Sequence, residues 1–83
     1  MASWLEDVQK ALQNLGGKGT YPQIYKQIKS IRKTPLPKTW EAIVRRTIET
    51  NSRQSENFAG NDLFYSVEGI GKGVWGLRNF SKN

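Results

Sequence analysis

Asp62-Leu63-Phe64-Tyr65-Ser66-Val67-Glu68-Gly69-Ile70-Gly71-Lys72-Gly73-Val74-Trp75-Gly76-Leu77 is the stretch on which the fold turns. Leu63–Val67 is rich in aromatic and β-branched residues and reads as a strand. Glu68–Gly73 is a glycine-rich turn, and Val74–Leu77 returns as a second strand. Four glycines here (Gly69, Gly71, Gly73, Gly76) invite a phosphate-loop reading. That reading fails on context, because a nucleotide loop links a strand to a helix whose N-terminus meets the phosphate. Between two strands the same glycines serve a hairpin tip and close backbone approach.

What precedes the hairpin decides its kind. Asn51 to Asn61 is polar, with Phe58 as its one apolar anchor. Before it, a helix is expected from Lys38 or Thr39 to Thr50, with Trp40, Ile43, Val44, Thr47 and Ile48 on one face. At about 100° per residue the outward face carries Lys38, Ala42, Arg45, Arg46 and Glu49. Thr34-Pro35-Leu36-Pro37 breaks the helical pattern, since each proline disfavours helix in the residue before it. Upstream, Thr20 caps a second helix with Pro22 in its first turn and Ile24, Ile28 and Ile31 as its stripe. Lys18-Gly19-Thr20 can add a stub of strand. The first helix opens on a capping box at Ser3 and Glu6 and carries Leu5, Val8, Leu12 and Leu15. Gly16-Gly17 stops it.

Helix, helix, helix, hairpin is the order of a winged helix-turn-helix, an α+β fold in which the hairpin is the wing. The expected domain covers residues 1–78, with 79–83 as a tail or linker start. Its core is expected from Leu5, Val8, Leu12, Ile24, Ile28, Trp40, Val44, Ile48, Phe64, Trp75 and Leu77.

Composition narrows the function. The 83 residues contain no cysteine and no histidine. Disulfides, thiolate metal sites, the commonest general base and the commonest metal ligand are thereby excluded. No cofactor is called for. Asp62, Glu68 and Lys72 superficially suggest a nuclease triad, but such a site needs a larger mixed sheet to place its acids on metal. The expectation is a binding domain rather than an enzyme. No apolar run approaches the ~18 residues of a membrane span, so a cytoplasmic address and no membrane partner are expected.

The net charge of +6 is unevenly spread. Between Lys18 and Arg46 lie eight cations and the single acid Glu41, so this stretch is +7 and the remainder −1. A single-sign block inside a folded domain points to a polyanion, nucleic acid first and an acidic membrane surface second. The competing reading is an ordinary solvated face on which Glu41 and Glu49 pair with the arginines along the helix. On the nucleic-acid reading the third helix enters the major groove of double-stranded DNA. Arg45 then reaches a guanine edge or a phosphate, and small Ala42 permits close approach. Lys33 and Thr34 before the helix are further DNA-binding candidates, and Lys72 at the hairpin tip suits a phosphate or minor-groove contact by the wing.

Several runs resemble a known family. Leu15-Gly16-Gly17, Ile24-Tyr25 and Leu36-Pro37-Lys38-Thr39-Trp40-Glu41-Ala42-Ile43-Val44-Arg45 are similar to winged-helix modules attached to bacterial modification-dependent restriction endonucleases. Asp62-Leu63-Phe64 and Gly73-Val74-Trp75-Gly76-Leu77-Arg78 resemble the hairpin of the same family. The resemblance implies a sensor domain, usually fused to an HNH or similar nuclease, that inspects DNA for modified bases, N6-methyladenine among them. It implies contacts from Lys38, Thr39, Ala42, Arg45 and Arg46, with Ser52, Arg53 and Ser55 holding the backbone. An N6-methyl group projects into the major groove, where Ala42 or the Trp40 ring edge can meet it. A transcription regulator reading unmodified DNA, or a winged helix used for protein contact, remains open at this point, as does membership of a larger nuclease.

Overall fold

The computed structural model describes residues 3–33, 35–69 and 71–80. Helix α1 (Trp4–Asn14) starts where the Ser3 hydroxyl accepts the Glu6 amide at 3.1 Å. Glu6 and Asp7 in its first turn favour the positive end of the helix dipole. The Glu6 carboxylate meets the Ser3 hydroxyl, at 3.4 Å, instead of closing a capping box on the Ser3 amide. A complete box forms one helix later. At α2 (Tyr21–Ile31) the Thr20 amide donates to Gln23 Oε1 at 2.8 Å, and the Gln23 amide to Thr20 Oγ1 at 3.3 Å.

Between them α1 ends in a paired turn. The Gly17 amide donates to Leu12 O at 2.8 Å and the Gly16 amide to Gln13 O at 3.1 Å. Gly16 and Gly17 hold φ of 85° and 102°, the left-handed region in which a Cβ is strained. The chain then enters β1 (Lys18–Thr20), α2, and α3 (Trp40–Thr50). α3 begins one or two residues later than the pattern suggests. The Trp40 amide still bonds back to Pro37 O at 3.1 Å, and Lys38–Thr39 form a turn.

Strands β2 (Phe64–Ser66) and β3 (Val74–Leu77) make the hairpin, and β1 joins it on the far side of β3. All pairs are antiparallel, with Phe64 opposite Leu77 and Gly19 opposite Trp75. Three helices, a short strand before the second and a closing hairpin form the winged-helix topology. β2 is shorter than Leu63–Val67, yet the flanking residues stay bonded, Val67 N–H to Val74 O at 2.9 Å and Arg78 N–H to Leu63 O at 3.0 Å.

The core consists of Val8, Ala11, Leu12, Ile24, Ile28, Val44, Ile48, Phe64, Trp75 and Leu77. Leu5 and Trp40, expected inside, pack against it half-buried, and Ala11 takes a full place. Phe58 is not an anchor: it is 40% exposed. The loop after α3 is tied by Asn51 instead. The Asn51 Nδ2 donates to Thr47 O at 2.8 Å, and its Oδ1 accepts the Asn61 amide at 3.2 Å. Its carbonyl takes the Leu63 and Phe64 amides at 2.8 and 3.1 Å. One polar residue thus closes the helix end, the loop and the entry to β2. Beyond β3, Phe80 packs on the core, its ring lying where a Cβ on Gly17 would stand.

Among the described residues no helix is long and apolar enough to cross a membrane.

Candidate nucleic-acid interface

α3 buries Val44 and Ile48 against the core, so its opposite side faces outward. Lys38, Thr39, Ala42, Arg45 and Arg46 are all exposed there, and Glu49 is half-buried. Lys33 and Lys72 are exposed at the end of α2 and on the wing. Thr34 lies outside the described residues.

The five arginines divide sharply. Arg32 pairs with Asp7 at 2.6 Å, and Arg53 and Arg78 both approach Asp62, at 3.8 and 2.9 Å. Arg45 and Arg46, by contrast, have no carboxylate partner among the described residues, although Glu41 and Glu49 share their helix. The intrahelical pairing of the competing reading is therefore not formed among the described residues. Glu49 instead accepts the Asn57 side-chain amide at 3.2 Å.

Arg45 is oriented by a neutral group. Its Nη1 donates to the Tyr25 hydroxyl at 3.0 Å. That bond, and the nearby Tyr25 phenol, push its already high pKa upward, so the guanidinium stays charged. Tyr25 is fixed in turn by an edge-on contact with Trp40, ring centroids 5.3 Å apart, and by stacking on Tyr21 at 5.9 Å. Tyr21 continues to Trp75 at 6.5 Å. An aromatic row thus runs from the start of α3 to the base of the wing. Burial of the Tyr21 phenol, reinforced by the charge of Glu49, raises its pKa to about 12.

Ala42 sits between two hollows. One, of about 700 Å3, lies toward α1 and is walled by Leu5, Thr39, Ile43, Arg46 and Thr47. The other, of about 430 Å3, is bounded by Arg45, Arg46, Glu49 and Asn57. Trp40 is half-buried against Tyr25, leaving Ala42 as the exposed small residue of the face.

The residues after α3 are less uniform. Arg53 is on the surface, its side chain 74% exposed, and Ser55 is half-buried. Ser52 is fully buried, with no hydrogen-bond partner for its hydroxyl among the described residues, so it does not belong to the outward face. Asp62, the first member of the suggested triad, is committed elsewhere. The Arg53 amide at 3.0 Å, then the Arg78 guanidinium, hold its carboxyl below the usual carboxylate range. Among the described residues no cluster of acids is arranged to hold a metal ion.

Tyr25, Tyr21 and Asn57 escaped the sequence reading. Tyr21 and Tyr25 stand four residues apart beside the α2 stripe, a spacing that signals stacking along one helix face. Arg45, the partner of Tyr25, is 20 residues away and carries no local signal. Comparisons with protein-family models, curated proteins and solved structures find no match.

Proposed function

We propose that this domain binds double-stranded DNA, with α3 in the major groove and Lys72 of the wing on the neighbouring backbone. The lack of an acid partner for Arg45 and Arg46 among the described residues carries the reading. Every other arginine is matched to an acid, while these two stand exposed on the outward face of α3, with exposed Lys38 in the turn before it. A helix of roughly 10–12 Å diameter fits a major groove about 12 Å wide. A protein-contact winged helix would place an apolar patch where the arginines stand.

The preferred duplex in this proposal is adenine-methylated, and the domain serves as the specificity module of a restriction endonuclease. The family resemblance motivates that refinement. Ala42 supports it physically, because the hollow beside it is walled by Leu5, Ile43 and threonine methyls that can take a methyl group. One methyl contributes only about 1 kcal/mol of burial, so discrimination grows when a palindrome presents two.

Titration of a fluorescent duplex at several salt concentrations tests the reading. If ~4–6 phosphates are neutralised, log K falls with log salt at a slope of about −4 to −5. Affinity that ignores salt sinks it. Duplexes of one sequence, unmethylated, N6-methylated on adenine and methylated on cytosine, then rank the modification.

A further inference from the structure

A third concavity, between the wing and the loop after α3, is used by that reading only through Lys72. It measures about 680 Å3 and is lined by Tyr21, Trp75, Glu49, Gln54, Asn57 and Lys72, among others. Its wing side also includes Gly71 and Gly73. A Cβ on Gly71 would meet nothing within 4 Å, and one on Gly73 would lie 3.8 Å from the Tyr21 ring.

The lining selects a ligand chemistry. Half-buried Tyr21 supplies an aromatic surface against which a planar ring can rest, with the buried Trp75 ring tilted behind it. Glu49 has one carboxylate oxygen on the Asn57 amide and no cation partner among the described residues, so its other oxygen is a free acceptor. Gln54 has its Oε1 fixed on the Ser66 amide at 2.8 Å, which leaves its NH2 group as a donor. An acceptor and a donor in one cleft suit the Watson–Crick edge of a base that bears an amino group beside a ring acceptor. Lys72 suits a phosphate, whereas Glu49 and Glu56 inside the cleft repel one. The base belongs inside and the phosphate outside.

We infer that this cleft binds one unstacked, amine-bearing nucleobase with its phosphate at Lys72. The base arrives either everted from a duplex or as a free nucleotide. Glu49 and Asn57 line both this cleft and the hollow beside Arg45 and Arg46, so a duplex on α3 lies next to it. The everted-base source rests on the DNA reading above, and the free-nucleotide source does not.

Two arms test the inference on the intact chain. In the first, a duplex carrying one unpaired, bulged adenine is compared with the same duplex fully paired. The bulged duplex should bind about tenfold tighter, because the base is already unstacked and gains the aromatic surface. Glu49→Gln should bring that ratio close to one, even as the lost negative charge tightens both duplexes. In the second arm, adenosine monophosphate is titrated while amide NMR shifts of Tyr21, Gln54 and Gly71–Gly73 are followed. Saturable shifts there, weakened at least severalfold by Glu49→Gln, support the site, and Lys72→Gln should weaken the monophosphate while sparing adenosine. A tenfold ratio that survives Glu49→Gln, with no shifts from the monophosphate, overturns the inference. So does absence of both signals, and a paired duplex that still binds then leaves the DNA reading intact. Should no duplex bind, the monophosphate arm decides alone.

Discussion

Arg32 and Asp7 are 25 residues apart in sequence, and the Arg32 Nε donates to Asp7 Oδ2 at 2.6 Å. The guanidinium also lies 3.7 Å from the centre of the Trp4 ring, a cation–π contact that clamps the start of α1 to the end of α2. Asp7 is 5% exposed, so the pair is largely shielded from water on the carboxylate side. Asp7→Ala leaves a largely buried guanidinium without its carboxylate. Breaking such a pair, softened by the partial exposure of Arg32, should cost about 2–3 kcal/mol. A melting temperature within a degree or two of the parent would show the pair to be dispensable.

Gly76 faces Tyr65 across the β2–β3 ladder, and a Cβ there would stand 2.5 Å from the Tyr65 ring. The ring lies over the glycine and beneath Arg78, whose guanidinium is 5.5 Å from its centroid. Gly76→Ala should therefore destabilise the domain by about 1–3 kcal/mol through overpacking. In a Tyr65→Ala background the same change should cost far less. Chemical denaturation of the four proteins measures the coupling.

Tyr21 should be a late-ionising tyrosine. Its pKa is pushed up to about 12 by burial first and by Glu49 second. Because the folded value lies above the unfolded one, the stabilisation is complete below about pH 10 and is lost as pH rises through about 12. Tyrosinate absorbance should show a step near 12 that Tyr21→Phe removes and Glu49→Gln shifts downward. A Tyr21→Phe titration identical to the parent would assign the step to another group.

Tyr25→Phe separates aiming from charge. The phenyl ring keeps its contacts with Tyr21 and Trp40 and loses only the hydroxyl that receives Arg45. Under the proposed function, affinity for the preferred duplex should fall by about 0.5–1.5 kcal/mol with non-specific affinity and melting temperature unchanged. Arg45→Ala should cost about 1–3 kcal/mol on the preferred site, whereas Lys33→Ala and Lys72→Ala should weaken all duplexes alike. Equal losses on every duplex for Arg45→Ala would make it a phosphate contact.

Ala42 tests the proposed methyl preference. Two methyls at about 1 kcal/mol each give ~30-fold preference for a fully methylated palindrome, with a hemimethylated site between. Ala42→Glu should abolish binding by setting a carboxylate against the groove, and Ala42→Ser should mainly blunt the preference. Equal affinity for methylated and unmethylated duplexes would leave a winged helix that binds DNA without reading methylation.

Much of this architecture is legible in the residue pattern. Val8 and Leu12, Ile24 and Ile28, and Val44 and Ile48 recur at helical spacing because each pair faces one core. Strand β1 is readable, though only as a stub, since three residues carry little periodicity. What escapes is non-local. Ala11 is too small to mark a stripe, yet the close approach of the helices gives it a full place inside. Phe58 looks like an anchor in a polar run, but Asn51 and backbone bonds to Thr50 hold that loop without it. On the outward face, Lys38, Ala42, Arg45 and Arg46 follow from the helical wheel alone. Nothing local distinguishes paired Arg32 from unpaired Arg46, because the deciding acid belongs to another helix. The Arg45–Tyr25 bond is hidden for the same reason.

The middle strand of the sheet is the last to be made. β3 pairs with β1 on one side and β2 on the other, and it brings Trp75 and Leu77 to the core. During synthesis the three helices therefore emerge without the surface that closes them, and β1 waits across more than fifty residues for its partner. Native stability arrives late, when Val74–Leu77 clears the ribosome, and the unclosed helices are exposed to misassociation until then. A chain cut before Trp75 should be a collapsed, protease-sensitive helical intermediate, however complete its outward-facing third helix is.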